Sequence, residues 1–224
     1  MNQGGAKAKI FYCKNFSKRA GRPKENSLIW LQSPIMNYGN TKINIFINLK
    51  YSKMQKLQVS EFVSTYMKYY IDLVQGDDII KALENQFNNS HKFLCSISEE
   101  QGNFAYSENK WSLKEVLGHI IDTERIMAYR ALCVSRGEKQ SLPGFEQDDY
   151  VKAAGFNKRT LSDLIHEFKL LRESNLALFK SFDMETKSMM GKSNGKEISV
   201  RTLLFMIAGH EIHHINMIKT KYLS

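Results

Sequence analysis

Cysteine is scarce in this chain of 224 residues: Cys13, Cys95 and Cys133 make an odd number with no CxxC spacing. Neither a disulfide framework nor a cysteine metal knuckle fits that pattern, and a reducing cytosol is the default setting. Long apolar runs are missing too. Nothing approaches the roughly 18 consecutive apolar residues of a membrane span, and the N-terminus has no apolar signal-peptide core. The expectation is a soluble, cytoplasmic protein with no membrane partner. A composition of 42% hydrophobic and 25% charged residues fits one globular domain with an appendage, and sets aside collagen, low-complexity and coiled-coil classes.

Acidic residues are the remaining shortage, and it is local. The formal charge is +9, yet residues 1–53 hold ten Lys and Arg against the single Glu25, which leaves 22 of each sign in 54–224. The whole excess therefore sits in the first quarter. That quarter shows no helical period, and Gly4-Gly5, Gly21, Pro23, Pro34 and Gly39 punctuate it. Ile43, Ile45, Ile47 and Leu49 alternate with Asn44, Phe46, Asn48 and Lys50, the period-2 pattern of a strand without an obvious partner. Residues 1–53 read as a basic, poorly ordered extension unnecessary for folding, with Met54 as an alternative start and 54–224 as the body. The competing reading is a basic nucleic-acid arm. Its aromatics are not interleaved with its charges in a recognisable motif, so nucleic acid is not the expected partner.

The body reads as helices. A short one is expected over Ser60–Leu73, then Asp77 to about Ile97 with Ile80, Leu83, Phe87, Ser90, Leu94 and Ile97 on one face. A third begins at the Ser112/Glu115 capping-box pattern and runs to about Arg136, where Gly137 terminates it. Glu138–Arg159, with Pro143-Gly144 and the acidic Glu146–Tyr150 stretch, reads as a surface loop. Thr160–Phe182 follows, its stripe interrupted by the single polar Asn175. Asn194-Gly195 signals a tight turn, and the last helix spans about Ser199–Tyr222. Four substantial amphipathic helices and no convincing strand in the body imply an all-α four-helix bundle.

Three of the six histidines crowd the last helix, in Gly209-His210-Glu211-Ile212-His213-His214. Residues four apart on a helix stand about 6 Å along the axis and about 40° around it, so His210 and His214 can aim at one point. Both fall on the stripe of Leu203, Ile207 and Ile218; His213 lies off it, although its i, i+3 spacing to His210 keeps it as an alternative to His214. A third ligand must come from a facing helix. His119, between Val116 and Ile120, suits an interaxial distance of about 8–10 Å. Three neutral imidazoles suit Zn, Ni, Fe or Cu and leave coordination positions open, as catalytic sites do. Taken singly, an HxxxH pair and a lone half-buried histidine are both common without metal. His91 and His166 lie off their stripes and read as solvent-facing. Asp122 and Glu211 are the acids available as a base or as hydrogen-bond partners of the ligands, though each also suits a solvated helix charge. Asp122 is the candidate catalytic residue. Asn175 is the candidate pocket residue, or a hydrogen-bonded bridge between helices, and the stretch around Asp148–Tyr150 borders the pocket mouth or is solvated.

The run from Lys110-Trp111-Ser112-Leu113 through Gly118-His119-Ile120-Ile121-Asp122-Thr123-Glu124-Arg125, the later Leu142-Pro143-Gly144-Phe145, and the closing Ala208-Gly209-His210-Glu211-Ile212-His213-His214 together resemble the DinB-like, or YfiT-type, family. The resemblance covers about 75–224, with three motifs in order. It implies a four-helix bundle, usually a homodimer, whose divalent metal (Zn, Ni, Fe or Mn) is held by His119, His210 and His214. It also implies a small-molecule substrate and either metal-dependent hydrolysis or S-transfer with a low-molecular-weight thiol cosubstrate. The alternatives are a non-catalytic metal-binding stress-response bundle and the nucleic-acid binder already described. Residues 1–53 have no counterpart in the family pattern.

Overall fold

The structure is a computed structural model that describes residues 64–223, together with Leu57 and two short strands, β1 (Met36–Tyr38) and β2 (Thr41–Ile43). The chain divides into two units, Met1–Ser52 and Lys53–Ser224. In the first, β1 and β2 pair antiparallel with Met36 opposite Ile43. Of the strand expected over Ile43–Leu49, Ile43 falls in this hairpin and the rest lies outside the described residues.

The second unit is built from helices with a side-chain cap at nearly every start. They are α1 (Thr65–Asp72), α2 (Ile79–Leu94), α3 (Glu99–Gly102), α4 (Leu113–Ser135), α5 (Gln147–Ala154), α6 (Leu161–Lys180), α7 (Met184–Ser188) and α8 (Val200–Met217), the last continued by a π-helical turn, Ile218–Tyr222. The capping box at α4 forms as the sequence pattern indicates. Ser112 Oγ accepts from the Glu115 N–H at 3.2 Å, and Glu115 Oε2 accepts from the Ser112 N–H at 2.7 Å, which satisfies two amide donors that a helix start leaves free. Gly137 ends α4 with φ +83°, a conformation costly for any side chain.

α2, α4, α6 and α8 form the bundle: α8 packs on α4 and α2, and α6 packs on the same two. α1 covers the outer side of α8, so every residue from Val200 to Glu211 is buried. A helix apolar all round belongs in the interior, and its burial is wider than the single stripe read from the sequence. α1 lies so close that a Cβ on Gly209 would overlap the Tyr70 carbonyl.

The buried apolar residues fall into two groups at opposite ends of the bundle. One contains Leu83, Met127, Ala131, Val134, Phe179 and Leu203; the other contains Leu94, Leu117, Ile120, Leu164, Phe168 and Ile215. Along α4, α6 and α8 the two groups are separated by buried polar side chains, among them Glu124, Arg172, Asn175, His210 and Glu211.

Two expectations are corrected. The body does contain strands: β3 (Ser141–Leu142) pairs parallel with β4 (Met190–Ser193), which forms an antiparallel hairpin with β5 (Lys196–Ser199). Strands of two to four residues are too short to show an apolar alternation. Their turn is visible, because Asn194 (φ 50°) and Gly195 (φ +73°) both take the left-handed conformation that a two-residue hairpin needs. Glu138–Arg159 is not a free surface loop either. It holds β3, α5 and a 3-10 turn at Phe156–Lys158, and it docks through buried Val151 and Phe156. Asp148 and Asp149 lie in the first turn of α5, where negative charge favours the helix start.

The close approach at Gly209 predicts that Gly209→Ala forces α1 off α8 and lowers stability by about 1–3 kcal/mol, the usual cost of overpacking. Chemical denaturation of the variant checks this; an unchanged midpoint would show that α1 moves aside freely.

Candidate metal centre

One turn of α8 and the facing turn of α4 bring three imidazoles to a point. His119 Nε2 lies 3.0 Å from His210 Nε2, and His214 Nε2 lies 3.1 Å from the same atom. All three rings are buried, at 3%, 4% and 8% exposure. A tetrahedral ion with M–N bonds of about 2.05 Å needs nitrogen atoms about 3.3 Å apart, and an octahedral one about 2.9 Å. The observed spacing fits either. His213 turns away instead: its Nδ1 is 2.9 Å from the Tyr69 hydroxyl. His166 is exposed, as read from the sequence, whereas His91 is half-buried with its ring against Phe87.

Burial keeps these imidazoles neutral. It depresses His119 to about 4, with Asp148 opposing, and His214 to about 3, with His119 and His213 adding to the shift. His210 is pushed well below the usual range, first by burial and then by His214, His119 and His213. Neutral rings keep the lone pairs that a metal requires.

The cluster opens on a cavity of about 180 Å³. One wall is a stripe of α4 made of His119, Thr123, Met127 and Arg130, at spacings of four, four and three residues; His210 and Met206 of α8 stand opposite, and Asn194 and Lys196 of the β4–β5 hairpin close one side. Phe145 and Gln147 complete the rim, whereas Asp148, Asp149 and Tyr150, the stretch expected at the mouth, do not line the cavity. Thr123 Oγ1 stands 3.5 Å from His119 Nδ1, one turn along the helix.

Behind the cluster is a buried ion network. The Arg172 guanidinium, 0% exposed, donates from Nε and Nη2 to the two oxygens of Glu124 at 2.8 and 2.7 Å and from Nη2 to Glu211 Oε2 at 2.5 Å. Burial alone would lower its pKa, but the two carboxylates outweigh burial and hold it above its ordinary value. Asn175 Nδ2 donates to Glu124 Oε1 at 3.1 Å. Asn175 is thus placed as a bridge between α6 and α4, outside the cavity lining. Glu211 is buried rather than solvated, at 1% exposure. Its Oε1 and His214 Nδ1 are buried polar atoms without a partner. Asp122 is partly exposed on the α6 side, 3.7 Å from Arg125, where burial lifts its carboxyl above the usual range, and it does not line the cavity. The sequence reading did not single out Arg130, Lys196, Arg172 or Glu124. Helical spacing could have flagged Arg130, since it shares a face with His119.

The family model of the DinB superfamily matches residues 82–218, a span that takes in all three histidines. The chain belongs to the DinB superfamily. Among curated proteins it is similar to one from Oceanobacillus iheyensis whose name proposes a metal-dependent hydrolase, with 25% identity over 145 residues, 62% of this chain and 81% of that protein. Among solved structures, YfiT from Bacillus subtilis, described as a probable metal-dependent hydrolase with an unusual four-helix bundle topology, aligns with TM-score 0.55 and 14% identity over 77% of this chain and 95% of its own. The mycothiol-dependent maleylpyruvate isomerase aligns with TM-score 0.52 and 9% identity over 68% of this chain and 62% of its own. At these identities the two structures establish the shared fold. This DinB superfamily member is therefore a helical bundle with a three-histidine cluster that could hold a metal. No helix among its described residues is long and apolar enough to cross a membrane.

Two consequences are measurable. In the metal-free protein the folded-state pKa values of His119 and His214 lie below their unfolded values, so the unfolded chain binds more protons under acid. Stability is complete above about pH 6.5 and falls as pH drops toward about 4 and then 3, by on the order of a few kcal/mol from this pair. Urea midpoints from pH 7 to 4 should therefore fall more steeply in the wild type than in a His119→Gln/His214→Gln variant, and parallel slopes would contradict the assignment. Replacing Arg172 with Met strands Glu124 and Glu211 together in the core, so a loss of about 3–5 kcal/mol is expected in the same assay.

Proposed function

We propose that this protein is a metal-dependent enzyme in which His119, His210 and His214 hold a divalent ion at the floor of the cavity. The observation that carries the reading is the convergence of three buried imidazoles, whose candidate ligand nitrogens all lie within 4.8 Å of one another, beside a cavity of about 180 Å³. A divalent ion held there lowers the pKa of a coordinated water or thiol and polarises a substrate carbonyl. The chain's own side chains do the rest. Burial supplies the imidazoles unprotonated at neutral pH, and Thr123 one turn from His119 fixes that ring's orientation. Met127, Leu203 and Met206 line the cavity with apolar surface that limits bulk water.

Hydrolysis is the first reading, supported by the names carried by the similar proteins from Oceanobacillus iheyensis and Bacillus subtilis. The second is S-transfer with a low-molecular-weight thiol, supported by the shared fold with a mycothiol-dependent enzyme. The two differ in which nucleophile enters the cavity, not in how the histidines are arranged.

Elemental analysis of the purified protein should find about one Zn, Ni, Fe or Mn per chain, lost in His119→Ala and in His214→Ala; unchanged metal content in both variants would refute the site. Turnover of a panel of nitrophenyl esters and anilides, abolished by chelation and restored by metal, would establish hydrolysis. Metal-dependent consumption of a thiol with 1-chloro-2,4-dinitrobenzene would instead establish transfer. A metal-loaded protein inactive in both assays would favour a non-catalytic metal-binding bundle.

A further inference from the structure

Two of the body's buried arginines, Arg172 and Arg130, have their charge matched differently. Arg172 is matched by two carboxylates. Arg130, at 9% exposure, forms no ion pair with any described residue; it donates from Nη2 to the Pro143 carbonyl at 2.6 Å and stacks 5.8 Å from the Phe145 ring centre. A carbonyl and a ring face hold a guanidinium in place without neutralising it. A buried cation with no counter-ion is costly unless something else supplies the charge.

Arg130 is also on the right face. It lies eleven residues after His119, three turns and about 20°, so both side chains project to one side of α4 with Thr123 and Met127 between them. All four line the same cavity. Lys196 of the hairpin is a second cation in the lining, with Asn194 and Gln147 as neutral hydrogen-bonding neighbours, and no aspartate or glutamate is among the described residues that line this cavity. Arg130 and the neutral imidazole of His119 therefore stand about 16 Å apart along the helix axis at the backbone, and Lys196 adds a second cation to the lining.

We propose that Arg130, assisted by Lys196, is an oxyanion subsite, and that the substrate is a small elongated molecule carrying a carboxylate or phosphate group at the end remote from the histidines. The inference rests on the metal-dependent reading for which end reacts, and on Arg130 alone for which end binds. Arg130 is suited to the task because its planar fork can meet an oxyanion with two parallel hydrogen bonds while Pro143 fixes the third edge of the group.

Calorimetric titration of the full-length protein with succinate, inorganic phosphate and the neutral analogue succinamide tests this, with and without a chelator. Succinate or phosphate should bind measurably and succinamide should not; the tighter of the two anions identifies the oxyanion. Arg130→Met should weaken that binding by about tenfold or more, Arg130→Lys by less, and Lys196→Met by about threefold. Circular dichroism and the urea midpoint report whether Arg130→Met folds. If it does not, Arg130→Lys and Lys196→Met carry the decision, and unchanged affinity in both overturns the subsite. Anion binding that needs metal and ignores Arg130→Met would be coordination to the ion, which overturns the subsite and leaves the metal reading standing. Anion binding that depends on Arg130 with the chelator present would support the subsite, and if elemental analysis finds no metal in the purified protein the metal reading fails separately. No binding of either anion, or equal binding of succinamide, also overturns it.

Discussion

The Arg172 guanidinium, fully buried between Glu124 of α4 and Glu211 of α8, is the interaction on which the arrangement of the bundle depends. It sits in a polar layer that divides the apolar core into two halves. Apolar contacts tolerate sliding and rotation, because one methyl group substitutes well for another. A guanidinium fork does not: rotating α8 by one residue swings Glu211 through about 100° and leaves buried charge unpaired, a penalty of about 3–5 kcal/mol. The layer therefore sets the rotation of α4, α6 and α8 about their axes. His210 adjoins Glu211, and His119 lies five residues before Glu124, so the rotation that satisfies Arg172 also brings the three imidazoles together.

The same layer shows where sequence reading succeeds and where it stops. Caps were legible because they are local: Ser112 with Glu115, and Gly137 after the last turn, announce the ends of α4 within a few residues. His119, His210 and His214 were legible because each falls on an apolar stripe, which sends a polar side chain inward. Asn175 was visible as an interruption in the α6 stripe, though not its partner Glu124. Arg172 and Glu124 were missed because a charge beside a stripe looks like a solvated charge until the facing helix supplies its counter-ion. Glu211 stayed open between a partner of the ligands and a solvated charge for the same reason. The burial of α8 on all sides depends on α1 and on Gly209, a contact between residues about 140 apart. The short strands and α5 were hidden by length and by polarity, since Asp148 and Asp149 suit a helix start as well as a loop.

Charge is also sorted in space. Glu124 and Glu211 are committed to Arg172 on the far side of the cluster, and the described residues of the cavity lining include Arg130 and Lys196 but no acid. One guanidinium against two carboxylates leaves the buried network with one net negative charge, next to three neutral ligands. A divalent ion at the histidines would be attracted by that surplus, and the partnerless Glu211 Oε1 and His214 Nδ1 mark where the adjustment would be felt.

The consequence for chemistry follows from the sign of what remains. Three neutral imidazoles would not cancel the charge of an ion bound there, so the cavity side would stay positive, and Arg130 and Lys196 would add to it rather than oppose it. Such a field favours an anionic nucleophile near the histidines and an anionic group on the substrate, and it disfavours cationic molecules of the same size. A carboxylate base within the cavity would weaken that field. With no acid among the described lining residues, the proposed site would treat water and a thiol alike, because both become more nucleophilic as their anions.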